Sequence, residues 1–434
     1  MISEKEIDEL KPFQARSIIE ELRKGSVPAD YVPFFTVGRE NWLTFIDDDL
    51  DHYIAEGGAK VRFISGDYGD GKTHFMSVVR NLSLQKGFAV SFVVLTREVP
   101  IHKFETVYQA IIRQLHGSFE GSGIRGLLET WIESLTAKST KEDNTEVQES
   151  IEQLSETLRA LPGMDINFAN AIIALVNNRI TPLQEGESKE ERAADREILH
   201  HWFEGGKISK RELKPFQIFE VINKTNSKHL LNALIVFLRH IGYKGLILLM
   251  DELETVIAQA TSIRNAAYEN VRLFIDNTEH AEYLHIFFSI IPDVLISEKG
   301  FKSYDALWSR VRSIGEKKQL NYRDVLIDLH QTPLRTKELI ELGGCLRRIH
   351  EISYRWEAKD SVSDELIEKI CMNQKRMGLL SEVRLFVKQI IRVLDMAEQG
   401  GAPLEDLDLA EEIIASQQEV EQEKVEQLQP RWDS

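Results

Sequence analysis

The stretch FISGDYGDGKTHFMSVVRNL, Phe63 to Leu82, decides how the chain is read. An apolar strand ending runs into a glycine-rich turn, and Lys72 and Thr73 open a helix-like run. Gly66-x4-Gly71-Lys72-Thr73 fits the phosphate-binding pattern G-x-x-x-x-G-K-[ST] at every fixed position. Glycines let the backbone wrap closely enough for successive N–H groups to point at phosphate oxygens. The helix that starts at Thr73 presents unpaired N–H groups and a positive dipole end to the anion. Lys72 is expected to neutralise the β/γ-phosphates, and the Thr73 hydroxyl to ligate Mg²⁺. Asp67, Tyr68, Gly69, Asp70 and His74 complete the candidate set around a bound ATP. The alternative is a strand-to-helix turn that binds nothing. Context weighs against it, because KVRFI (60–64) reads as a strand leading in and residues 74–82 have helical spacing.

Magnesium-nucleotide chemistry also needs an apolar strand ending in acid, and LILLMDELE supplies one. Asp251 is the candidate to hold Mg²⁺ through water, and Glu252 the candidate to polarise an attacking water. Lys72 and Asp251 are 179 positions apart, a gap that a helical insertion explains. On LHIFFSII, Ser289 reads either as a contact to the γ-phosphate or its water, or as a buried strand serine bonded to backbone. Arg310 and Arg312, in ALWSRVRS, read either as guanidinium groups reaching a neighbouring subunit's γ-phosphate or as surface arginines. Arg384, in SEVRLFVKQIIRVLD, reads either as a nucleotide contact from a lid or as an exposed helix arginine.

The 434 residues are 42% hydrophobic with a formal net charge of −17. That length and composition allow two or three domains with a proper core. The acidity excludes a protein that coats nucleic acid with its general surface; any such contact must be a local basic patch. Cys345 and Cys371 lack metal spacing and suit a reducing compartment. MISEKEIDEL is too charged for a signal peptide, and no apolar run approaches the ~20 residues that span a bilayer. A cytoplasmic protein with no membrane contact is expected. Strands at 60–64, 88–96, 246–250, 284–291 and 324–329 alternate with helices, which predicts an α/β fold with a parallel five-stranded sheet covered on both faces. We expect an N-terminal helical segment (1–59), a core of 60–117 and 216–332, and a helical insertion (118–215) carrying the charged run GESKEERAADRE. A helical lid (333–397) and an acidic helical or disordered tail (398–434) follow.

Together these residues resemble the AAA+ P-loop ATPases, in particular their Orc/Cdc6-like branch. There a GRE segment lies near the adenine pocket, matched here by Gly38-Arg39-Glu40, and a lid helix carries an arginine, matched by Arg384. LRKGSVP, GDYGDGKTHF, EVPIHKFETVYQAI, HWFEGGKISKREL and GYKGLILLMDELE resemble a bacterial ATP-binding family associated with BREX-type phage-defence loci, over about residues 15–395. The resemblance implies an ATP-binding component that works beside other proteins of a defence locus. Two features depart from the initiator pattern: about 35 acidic residues follow the lid in place of a winged helix, and Pro292-Asp293 stands where a Thr-Asn pair is usual.

The leading expectation is a homo-oligomeric ATPase whose hydrolysis drives an assembly switch or remodeller. A scaffold or regulatory subunit that holds ATP with little turnover is the alternative. A small-molecule kinase fits less well, because no acceptor pocket is evident. DNA contact stays open at the basic clusters KISKREL (207–213), GEKKQLNYR (315–323) and Lys375-Arg376, each of which also reads as a solvated face.

Overall fold

A computed structural model describes residues 4–138, 144–183, 188–277, 281–312, 320–376 and 382–400. The acidic tail beyond residue 400 and the start of GEKKQLNYR (315–319) lie outside the described residues. Six strands form one mixed sheet: β1 (Ala59–Ser65), β2 (Ala89–Val94), β3 (Leu115–His116), β4 (Leu246–Asp251), β5 (Leu284–Ile290) and β6 (Leu326–Asp328). Their order is β3-β2-β4-β5-β1-β6. β2, β4 and β5 pair in parallel, with Leu246 opposite both Ala89 and Leu284. Every residue of β4 (LILLMD) and β5 (LHIFFSI) is buried. That is why they read as unbroken apolar runs rather than alternating ones.

The sixth strand is the difference from the five expected. β3 is two residues long and antiparallel to β2, with His116 opposite Val90. Two residues are too few to carry a periodicity, and the sequence there reads as the end of the preceding helix. Leu115 is buried nonetheless.

The chain divides into two compact units. One comprises residues 1–46, 64–81 and 314–434; the other comprises 47–63 and 82–313. In the first, a hydrophobic core is built by the helices Pro12–Arg23, Thr336–Tyr354, Asp364–Arg376 and Val383–Glu398. Ala15, Ile18, Ile19 and Leu22 recur at one-turn spacing and meet Leu339, Leu342, Leu346, Phe386 and Ile390. Arg23 pairs with Asp395 at 2.8 Å, and Asp395 also meets His350 Nε2 at 3.0 Å. The Trp356 indole donates to His350 Nδ1, so Nε2 carries the proton offered to Asp395.

The second unit holds β2 to β5 and four long helices, Gly123–Lys138, Asn144–Ala160, Ile166–Ile180 and Lys189–Phe203. The charged run falls on the last of these. A capping box between Ser188 and Glu191 starts it, Arg125 pairs with Glu197 on its outer side, and Leu199, Trp202 and Phe203 are buried. Among the described residues no helix is long and apolar enough to cross a membrane. Cys345 and Cys371 are not joined in a disulfide.

Beneath the sheet of this unit lies a buried group of charges. The Asp49 carboxylate accepts from Arg62 at 2.5 Å and from Lys60 at 2.7 Å, and Arg62 is fully buried. His285 on β5 is also fully buried, neither ring nitrogen has a hydrogen-bond partner, and its ring lies 4.1 Å from that of Phe287. Burial, reinforced by Arg62 and Lys60, holds its pKa well below the ordinary value. The folded state keeps His285 neutral while the unfolded chain takes up a proton below pH ~6.5. Stability is therefore lost as pH falls through that value, by up to about 1.4 kcal/mol per pH unit. In thermal denaturation between pH 7.5 and 5, His285→Leu should flatten the fall of Tm; an unchanged slope would show that the histidine is protonated in the fold.

Candidate functional site

The phosphate-loop candidate lies in the first unit. β1 ends at Ser65, residues 66–71 turn, and the helix Lys72–Gln85 begins at the lysine itself. Gly69 and Gly71 take φ of +96° and +89°, which side-chain-bearing residues avoid, so these two turns require glycine. Lys72 is buried; its Nζ donates to the carbonyls of Gly66 at 2.9 Å and Asp67 at 3.2 Å, and lies 5.1 Å over the Tyr68 ring. The Asp70 carboxylate is turned inward, at 3% exposure, where it accepts the Asp67 N–H at 2.6 Å and faces His330 Nε2 at 2.7 Å. Burial pushes the Asp70 pKa up, against the Asp67 N–H and the His330 charge. The Asp67 carboxylate is exposed, 3.4 Å from His330. A wrapped backbone, positive-φ glycines and an ammonium at a helix start are the features a polyphosphate needs, so the residues present fit ATP.

Arg39 and His74 pack against this loop. Gly38 and Arg39 are both left-handed, at φ +68° and +62°, an αL pair that turns the chain toward the loop. Arg39 Nη2 donates to the Asp70 carbonyl at 2.9 Å. Burial pushes the Arg39 pKa down to about 10, against the pull of Asp70 and Glu338. The Thr36 hydroxyl donates to the Val32 carbonyl at 2.6 Å, so at 3.0 Å it accepts from His74 Nε2. Burial, then Arg39, pushes His74 down to about 4 and leaves a neutral imidazole beside the Phe35 ring. The Arg384 backbone N–H donates to the Gly69 carbonyl at 3.1 Å, and its Nη2 donates to the Gly25 carbonyl at 2.8 Å. Gly25 sits at φ +75°, which strains any side-chain-bearing residue, and a Cβ there would lie 2.7 Å from Arg384 Nε and displace that guanidinium.

In the second unit, β4 ends in the acidic pair. Asp251 is buried, and Glu252 is left-handed at φ +65°, ψ +40°. The Glu252 N–H donates to Asp251 Oδ1 at 3.0 Å and to Ser289 Oγ at 2.9 Å, while the Ser289 hydroxyl itself donates to Asp251 Oδ1. Ser289 thus locks the two acids rather than standing alone on β5. Thr255 Oγ1 donates to the Glu252 carbonyl at 3.0 Å. Arg310, on the helix Asp305–Val311, is bound to the Asp276 carboxylate and to the Ala306 carbonyl, and both it and Arg312 are exposed.

His330, Thr36 and Glu338 are the members of these constellations that sequence reasoning missed. His330 follows a three-residue strand with no motif spacing, and nothing in the sequence ties it to a loop some 260 positions earlier. Glu338 closes on Gly38 from the helix Thr336–Tyr354, where a Cβ on the glycine would lie 3.0 Å from its carboxylate.

Among protein-family models, the one described as BREX system ATP-binding protein BrxC/D matches residues 10–411. Comparison with curated proteins and with solved structures returned no match.

A left-handed glutamate stores strain that glycine does not. Glu252→Gly should therefore be more stable than Glu252→Ala by about 1 kcal/mol, the usual αL penalty of a Cβ. Chemical denaturation of the full chain checks this order; equal midpoints would mean the backbone relaxes once the carboxylate is gone.

Proposed function

This chain belongs to the family of BREX system ATP-binding proteins BrxC/D, and from that premise we propose that it is a Mg²⁺-dependent ATPase of the AAA+ type. Its hydrolysis would serve as an assembly switch or remodeller in phage defence, beside other proteins of the locus and in a cytoplasmic homo-oligomer. The proposed organisation is a core of 60–117 and 216–332, an insertion of 118–215, and a lid of 333–397.

The observation that carries the reading is the phosphate loop, in which Lys72 is fixed by the Gly66 and Asp67 carbonyls at the start of a helix. On ATP binding, Lys72 would turn from those carbonyls to the β/γ-phosphates, while the N–H groups of residues 69–73 cradle them. Thr73 and, through water, Asp251 would hold Mg²⁺, which when bound neutralises charge on the phosphates. Glu252 would orient the attacking water, held in place through the contacts of its backbone N–H with Ser289 and Asp251. Gly38, Arg39 and His74 would flank the nucleotide. Arg384 already touches Gly69 through its backbone, so a lid movement would be felt at the loop. Of the two arginines proposed to act in trans, Arg310 must first leave Asp276, and the role falls more readily to exposed Arg312.

Phosphate release from ATP, measured at several protein concentrations, tests this. Lys72→Ala should weaken nucleotide binding at least tenfold, whereas Glu252→Gln should keep binding and lose turnover by 10²-fold or more, as expected for a residue acting on the water. A rate per molecule that rises with concentration supports a site completed by a neighbour. Tight ATP binding without turnover under any condition would overturn the hydrolase reading in favour of an ATP-held scaffold.

A further inference from the structure

The strap of chain from Lys207 to Lys224 is at odds with the rest of the molecule. In a chain of net charge −17 it carries five cations, Lys207, Lys210, Arg211, Lys214 and Lys224, against two carboxylates. All five cations are exposed, and none makes an ion pair among the described residues. Both carboxylates are already engaged: Glu212 caps Ser209 at 3.0 Å, and Glu220 accepts from the Asn226 amide at 3.0 Å. The positive charge of the strap is therefore not neutralised from within.

The strap is also fixed in place. Buried Leu213 and Ile218 anchor it, the Trp202 indole donates to the Glu220 carbonyl at 2.9 Å, and Asn170 donates to the Gln217 carbonyl at 2.8 Å. The Phe219 N–H donates to the Asn167 side chain at 2.8 Å, which sets Phe219 beside the first turn of the helix Ile166–Ile180. Held there, Phe219 is 61% exposed and Ile166 is 51% exposed. The Phe219 backbone is thus held while its ring stands in water among the cations of the strap.

We propose that this strap is a binding surface for a single-stranded polynucleotide, with the cations on its phosphates and a base stacked on Phe219. A base has a π-face to lay on an aromatic ring only when it is unpaired, which selects single strands over duplex. The proposal is independent of the ATPase reading, because it places no requirement on the phosphate loop and binding is read without nucleotide.

Fluorescence anisotropy of labelled mixed-sequence oligonucleotides of about 20 nucleotides, as DNA, RNA and duplex DNA, tests it on the full chain at several salt concentrations. Each phosphate contact contributes about −0.7 to the slope of log K against log salt, so four or five contacts predict a slope near −3. Lys210→Ala/Arg211→Ala/Lys214→Ala should make the slope shallower by about 2. Phe219→Ala should weaken binding by about 5- to 160-fold, the range of one lost base stack, with the slope unchanged. An unchanged thermal transition in each variant excludes misfolding. Comparison of the DNA and RNA arms distinguishes which sugar the surface takes. Absence of binding at 50 mM salt would overturn the proposal, as would variants that bind like the parent. Duplex bound as tightly as single strands with no effect of Phe219→Ala would also overturn it. So would capture of a peptide of residues 401–434 in place of the oligonucleotides.

Discussion

The chemistry proposed for this chain depends on a buried ammonium. Lys72 lies out of solvent at the start of a helix, where the dipole is unfavourable to a cation, and an unpaired charge there would cost several kcal/mol. The loop offsets that cost by closing on its own lysine through the Gly66 and Asp67 carbonyls. Closure at this radius demands the left-handed glycines, Gly69 and Gly71. It also brings two carboxylates, Asp67 and Asp70, into the loop. Asp70 turns inward onto the Asp67 N–H and His330. The loop is thus a set of polar groups satisfied among themselves, and the proposed phosphate would have to exchange for partners of similar strength.

The acidic end of β4 applies the same physics in the other unit. The left-handed backbone at Glu252 adds strain next to the buried Asp251 carboxylate. The Ser289 hydroxyl makes the arrangement tolerable by donating to Asp251 and accepting the Glu252 N–H. Strain held by a buried hydrogen-bond network is a means of fixing a carboxylate direction that an unstrained turn would leave to rotate.

What was legible in the sequence follows from how local each signal is. The turn between β1 and the helix at Lys72, and the strand that ends at Asp251, were legible because their residues are consecutive in the sequence. The buried strands were legible because both faces are covered, and the long helices because their apolar spacing repeats over several turns. β3 was not, being two residues long. Nor was the closing of His330 on Asp70, or of Glu338 on Gly38, since each joins segments hundreds of positions apart through tertiary packing alone. Ser289 was legible as a polar residue on a buried strand, but its partners were not, because strand order sets them: β4 and β5 are neighbours although 32 residues separate them.

Charge bookkeeping separates structural from functional ionic groups in such an acidic chain. Seventy carboxylates outnumber fifty-three lysines and arginines. Arg62 and Lys60 pair with Asp49, and Arg23 pairs with Asp395. These pairs orient their elements, and removing one partner would strand the other in a low dielectric. Arg310 belongs with them while it lies on Asp276. Exposed cations lose little when an acid is absent, because water solvates them, so a cluster of them persists without structural reason.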